Sequence, residues 1–123
     1  MSVDHLRIAF ITDDGHSVSA HFGKAPSYRV FSVTDGHVAD LGTRPKPYHG
    51  ANDQPATTHG DMFAPISDCQ VLVAGGMGTP ARQSARQARL EVILAGGEIE
   101  AALKAFVRGE LTSDERRVHE RRH

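Results

Sequence analysis

Histidine, lysine, arginine and glycine supply most of the chemistry open to this chain. Eight histidines stand in 123 residues, and neutral imidazole is the commonest side-chain metal ligand. One of them opens His21-Phe22-Gly23-Lys24-Ala25-Pro26. In this loop Phe22 is suited to plug a core and Gly23 leaves room for close approach. His21 and Lys24 then remain at the surface as an imidazole and a cation. A second segment, Gly75-Gly76-Met77-Gly78-Thr79-Pro80, sets a glycine-rich turn directly before a helix start. Backbone N–H groups in such a turn, reinforced by the helix dipole, attract anions. Arg82, Arg86 and Arg89 follow with no acid among them, and Arg82 and Arg86 share a face at helical spacing. Lys24, Gly76, Met77, Gly78 and Arg82 are therefore the candidate anion-binding residues. The same turn also fits a phosphorylated small molecule or nucleotide, an alternative that stays open at this point.

Other signals are weaker. Gly76-Met77-Gly78-Thr79-Pro80-Ala81 fits the G-x-G-x-x-A dinucleotide pattern, but only one further strand follows and a β-meander precedes it. No Lys-Ser/Thr pair completes a Walker A loop. His49, His59, His119 and His123 lie in a long loop and a charged tail, in no zinc-ligand spacing. Asp13-Asp14 is explained by turn chemistry more simply than by magnesium, for no third acid stands in an obvious partner position. Cys69 directly precedes a buried strand and reads as a core residue.

The elements that must position these residues are legible from apolar patterning. Residues 6–12 form a strand apolar on both faces, hence central in a sheet. Residues 27–33 and 38–41 are two further strands, joined through Asp35-Gly36, the dipeptide a tight hairpin prefers. Residues 45–60 hold three prolines and no period, and read as a long loop. A short helical turn over residues 63–67 leads to a buried strand at 71–74. Thr79 is expected to cap a helix running to Arg89 with Pro80 at its first position, and a strand follows at 91–95. The last helix shows Ile99, Ala102, Leu103, Phe106 and Val107 on one stripe, with Gly109 as its stop. The expectation is a three-layer α/β domain over residues 1–111, with a mixed sheet of about five strands, an N-terminal meander and then β-α-β-α. Residues 112–123 form a charged tail, expected to fray.

Composition narrows the function classes. Net charge is −1, so no global field favours nucleic acid or an anionic membrane. No apolar run approaches the roughly 18 residues of a membrane span. No signal peptide is visible, and the single cysteine cannot form an internal disulfide, so a cytoplasmic setting is expected. With 39% apolar residues and no tryptophan, the core should be modest and aliphatic. Two neighbouring aspartates do not make the carboxylate cluster that two-metal nuclease chemistry needs. The reading is a binding domain and not an enzyme.

The chain resembles the dinitrogenase iron–molybdenum cofactor biosynthesis family of small metallocluster carriers. The resemblance rests on Asp13-Asp14-Gly15, on His21-Phe22-Gly23-Lys24-Ala25, and on Asp68-Cys69 entering Val71-Leu72-Val73-Ala74-Gly75-Gly76-Met77-Gly78. It continues through Ile99-Glu100-Ala101-Ala102-Leu103 and Gly109-Glu110-Leu111 to a closing histidine, His119. Lys24 stands where the family pattern has arginine, and Arg89 where it tends to have glycine. The resemblance implies a ribonuclease H-like fold, and as cargo an iron–molybdenum cofactor or related iron–sulfur cluster. His21 would then be the first metal ligand, with His59 and His119 in support. The partners implied are cluster donor and acceptor proteins, nitrogenase assembly proteins among them.

Overall fold

The computed structural model describes residues 5–46, 59–114 and 118–119, with the backbone alone for His5, residues 59–62 and residues 118–119. In chain order the strands are β1 (His5–Thr12), β2 (Ser27–Thr34), β3 (His37–Pro45), β4 (Val71–Ala74), β5 (Met77–Gly78), β6 (Glu91–Leu94) and β7 (Val118–His119). A 3-10 helix spans His59–Ile66, and the α-helices are α1 (Thr79–Gln87) and α2 (Ile99–Val107). β1 carries Ile8, Ala9, Phe10 and Ile11 in succession, all fully buried. A strand apolar on both faces belongs in a sheet interior. β1 accordingly lies at the centre of an open sheet ordered β3-β2-β1-β4-β6. β2 pairs antiparallel with both neighbours, while β1, β4 and β6 run parallel.

The hairpin between β2 and β3 turns on Asp35 (φ 51°) and Gly36 (φ 80°), the doubly positive geometry that Asp-Gly favours. β3 is longer than its apolar pattern indicates. It reaches Pro45 across a bulge opposite Val30 and Phe31, and most of its side chains are exposed. An edge strand wetted along its length keeps its backbone pairing without alternation.

Strand register sorts the two faces. Ile8, Phe10, Phe31, Val71 and Val73 share one face, which α2 covers with Ile99, Ala102 and Leu103. Ala9, Ile11, Tyr28, Val30 and Leu72 share the other, under the 3-10 helix and α1. Helices on both faces make the three layers. Aliphatic side chains fill the sheet interior, yet the core is more aromatic than expected, because Phe10, Phe22, Tyr28, Phe31 and Phe63 are all buried. Phe10 meets Phe31 edge-on at 5.9 Å. Each large side chain so buried contributes about 1.5–3 kcal/mol.

Both helices end in the same Schellman motif. At α2, Gly109 N–H donates to Phe106 O and Glu110 N–H to Ala105 O, with Gly109 at φ 74°. At α1, Arg89 N–H donates to Arg86 O and Leu90 N–H to Ala85 O, and here the left-handed position is held by Arg89 at φ 68°. The start of α1 corrects the sequence reading by one residue. Gly78, not Thr79, occupies the N-cap, Pro80 sits in the first turn, and no side chain caps the helix. The tail also contributes structure. Asp114 N–H donates to Leu94 O, Ser113 Oγ accepts from Leu94 N–H, and β7 pairs in parallel with β5. Among the described residues no helix is long and apolar enough to cross a membrane.

Candidate functional site

Parallel pairing of β1, β4 and β6 puts the segments that follow them, residues 13–26, 75–78 and 95–98, at one end of the sheet. The chain leaves β1 towards β2 and leaves β4 towards β6, on opposite sides of the β1–β4 boundary. Open α/β sheets place ligands at such a divergence, beyond the carboxyl ends of the strands.

The segments meet through backbone hydrogen bonds. Gly75 N–H donates to Ser19 O at 2.8 Å, and Phe22 N–H donates to Gly76 O at 3.1 Å. The contact is so close that a Cβ on Gly75 would lie 2.6 Å from Ser19 O and 3.1 Å from Ala20 Cα. On the α2 side Val18 N–H donates to Gly97 O and Ile99 N–H to His16 O, both at 2.9 Å. The His21 loop and the glycine-rich turn therefore form one surface.

The first part of the loop is organised by Asp14. Its Oδ1 accepts from the N–H groups of His16 (2.8 Å) and Ser17 (2.9 Å) and from the Thr12 hydroxyl. These bonds favour the carboxylate and hold its pKa down to about 2. Asp14 is thus a turn residue, the role its position after a strand suggests. The second part hangs on Phe22. Its ring is buried and stacks on Phe63 at 5.6 Å. That plug leaves His21 and Lys24 exposed on either side. His21 is fixed by its backbone: its N–H donates to Ser19 Oγ, and its carbonyl accepts from Lys24 and Ala25.

Of the other candidates, Gly76 and Met77 are buried and Gly78 is partly so. Met77, 1% exposed, gives its side chain to the core and leaves only backbone at the turn. The turn ends as strand, since Met77 and Gly78 pair with Val118 and His119. Arg82 is half-buried with its Nε fully enclosed. His59 opens the 3-10 helix, and the backbone of His119 lies opposite Gly78. The side chains of both lie outside the described residues, as does His49. Cys69 is buried, and burial followed by the neighbouring Asp68 carboxylate pushes its thiol up to about 12. It is protonated at neutral pH and no ready metal ligand. Among the described residues no group of three His, Cys, Asp or Glu is placed to hold a metal ion.

On the α2 side of the same sheet end lies a cavity of about 590 Å³, lined by His16, Arg29, Phe31, Glu98, Ile99 and Leu103 among others. None of the candidate residues whose side chains are described lines it. Arg29 on its wall donates to Gly15 O and to Asp40. Gly75 opens the glycine-rich turn read from the sequence, but its part in joining the loops, with Ser19 and Gly97, is not legible there. A glycine needed for close approach at ordinary φ carries no local signature.

These features define a small open-sheet α/β binding domain, with a loop surface of two exposed imidazoles, His16 and His21, the exposed cation of Lys24 and glycine backbone over three joined segments. The chain belongs to the dinitrogenase iron–molybdenum cofactor family, whose model matches residues 4–109. No curated protein matches it significantly. Among solved structures it is similar to the protein PH0822, with a TM-score of 0.71 and 22% identity over 89% of this chain and 96% of that one. It is also similar to a Methanococcus jannaschii protein provisionally assigned as a dinitrogenase (TM-score 0.65, 14% identity, 89% and 93% of the two chains). A Thermotoga protein provisionally assigned as NifB aligns at a TM-score of 0.61 and 22% identity, over 88% and 92%. At these identities the likeness establishes the fold, in agreement with the mixed sheet expected from sequence.

Proposed function

We propose that the chain is a non-catalytic carrier for an iron–molybdenum or related iron–sulfur metallocluster, serving cofactor assembly or storage in the cytoplasm. The observation that carries this reading is the junction of the His21 loop with the glycine-rich turn through Gly75 and Phe22. His21 supplies an exchangeable imidazole ligand, with His59 and His119 as further ligands. Lys24 and Arg82 supply positive charge, and Gly76, Met77 and Gly78 present backbone to an anionic cargo. Exchangeable imidazoles without a thiolate cage suit a cargo that must be passed on, since several soft ligands would hold it too firmly. Donor and acceptor proteins of cluster assembly are the partners this role requires. The alternative, a phosphorylated small molecule or nucleotide, would draw on the same turn backbone, and the two readings differ in the imidazole ligand that only the cluster needs. Against nuclease chemistry stands the commitment of Asp14 to its own turn.

The deciding experiment is anaerobic uptake of isolated iron–molybdenum cofactor, read by metal analysis and absorption spectrum. Wild type should bind it, and His21→Ala should lose most of the uptake while remaining folded. Uptake equal to wild type in His21→Ala, His59→Ala, His119→Ala and the triple variant would rule out imidazole ligation. Ultraviolet-absorbing material co-purifying with the protein would instead favour the nucleotide reading.

A further inference from the structure

We propose that Lys46, which lies outside every motif in the sequence, is a positioning residue that holds the His21 loop through the face of Phe22. The role rests on the cluster-binding reading, because it is exerted at that same site. Lys46 directly follows β3 and is only 1% exposed. Lysine is seldom buried so completely. Its Nζ lies 4.8 Å from the centroid of the Phe22 ring, well inside the distance at which a cation is attracted by a ring face. The same ring stacks on Phe63 at 5.6 Å with an interplanar angle of 21°. Lys46 also reaches the loop through its backbone, where its N–H donates to Pro26 O at 2.8 Å. It therefore touches the loop twice, at the plug and at its exit into β2.

Phe22 is the residue next to His21, and its N–H binds the glycine-rich turn at Gly76 O. Whatever fixes the Phe22 ring fixes the placement of the exposed imidazole relative to that turn. A methionine at position 46 would fill a similar volume without burying a charge. It removes the ammonium, and with it the attraction to the ring face. Holding the loop in its bound geometry beforehand removes an ordering cost from ligand binding, so the contact acts on affinity without touching the ligand.

The test uses the full chain with Lys46→Met, Lys46→Arg and Phe22→Leu. Two measurements are made: amide hydrogen exchange, and anaerobic uptake of isolated iron–molybdenum cofactor. A desolvated cation–ring contact corresponds to about tenfold or more in an equilibrium. Lys46→Met should therefore speed exchange at the Lys24 and Ala25 amides, which bond to His21 O, by about tenfold relative to the β1 and β4 amides. It should weaken cofactor uptake by a similar factor. Lys46→Arg, which keeps the cation, should restore both. In a His21→Ala background Lys46→Met should weaken uptake no further. Uniformly faster exchange throughout the sheet, or failure of arginine to restore the loop, would overturn the proposal. So would a loss of uptake that persists without His21. Should Lys46→Met not fold, Phe22→Leu against Lys46→Arg makes the same comparison: leucine should loosen the loop and arginine should not. A wild type that takes up no cofactor defeats the cluster reading, while the exchange pattern still decides the role of Lys46.

Discussion

Gly75→Ala is the sharpest test of how the site is assembled. An added Cβ would meet Ser19 O at 2.6 Å and Ala20 Cα at 3.1 Å, where ordinary contact begins near 3.4 Å. Both obstacles are backbone, so no side chain can swing aside. The His21 loop must shift by several tenths of an ångström or more, and the first bonds stretched are Gly75 N–H to Ser19 O and Phe22 N–H to Gly76 O. Overpacking costs about 1–3 kcal/mol, and weakening two hydrogen bonds adds about 1 kcal/mol or more. A loss of about 2–4 kcal/mol is expected in urea denaturation, together with reduced cofactor uptake. At about 3–6 °C per kcal/mol for a domain of this size, Tm should fall by about 6–24 °C. Gly23→Ala is the control, because nothing lies within 4 Å of its added Cβ. It should be neutral or slightly stabilising. A Gly75→Ala protein within about 0.5 kcal/mol of wild type would refute the reasoning, since changes that small are typical of unconstrained surface positions.

Arg89→Gly should stabilise by about 0.5–1 kcal/mol and Gly109→Ala should destabilise by a similar amount, because the two occupy equivalent left-handed positions; thermal denaturation of both variants checks this. The Asp14 carboxyl should titrate near pH 2 by NMR. Its folded pKa lies below the ordinary 3.8 of an aspartate, so the stability it lends is complete above about pH 4 and lost as pH falls towards 2, with exchange of the His16 and Ser17 amides rising in step. Cys69 should resist alkylation at pH 8 in the folded protein and react once unfolded, since burial holds its thiol at about 12.

The parts of the fold that were legible were those whose local chemistry left little choice. β1 and β4 are apolar on both faces, Asp35-Gly36 permits a tight hairpin, and α2 has an unbroken apolar stripe ended by glycine. β3 was under-read because an exposed edge strand needs no alternation. The cap of α1 was misplaced by one residue because a threonine beside a proline is a strong signal whether or not its hydroxyl is used, and here it is not. The pairing of β5 with β7 left no trace, since two residues at each end of a distant contact make no pattern. The site follows the same rule. The glycine-rich turn and the His21 loop stood out by residue type. Their junction needed the strand order, and the burial of Lys46 needed Phe22 and Phe63 to be placed first.

The two cations proposed for the anionic cargo differ in a way the sequence did not show, and the difference sets how they should be tested. Lys24 is exposed, so Lys24→Ala should move stability by less than about 0.5 kcal/mol. Arg82 is half-buried and its Nε is enclosed. Arg82→Ala removes packing as well as charge and should cost about 1–2 kcal/mol. A drop in cofactor uptake by the double variant would thus mix two effects. Lys24→Ala alone isolates the charge. At low salt it should weaken uptake, and that loss should shrink as ionic strength rises and the Debye length falls below about 8 Å. Arg82→Lys keeps a charge on the same helix face and completes the comparison. Uptake by Lys24→Ala equal to wild type at low salt, together with unchanged affinity in the double variant Lys24→Ala, Arg82→Ala, would remove the basic platform from the site. The cargo would then be held by imidazole and backbone alone.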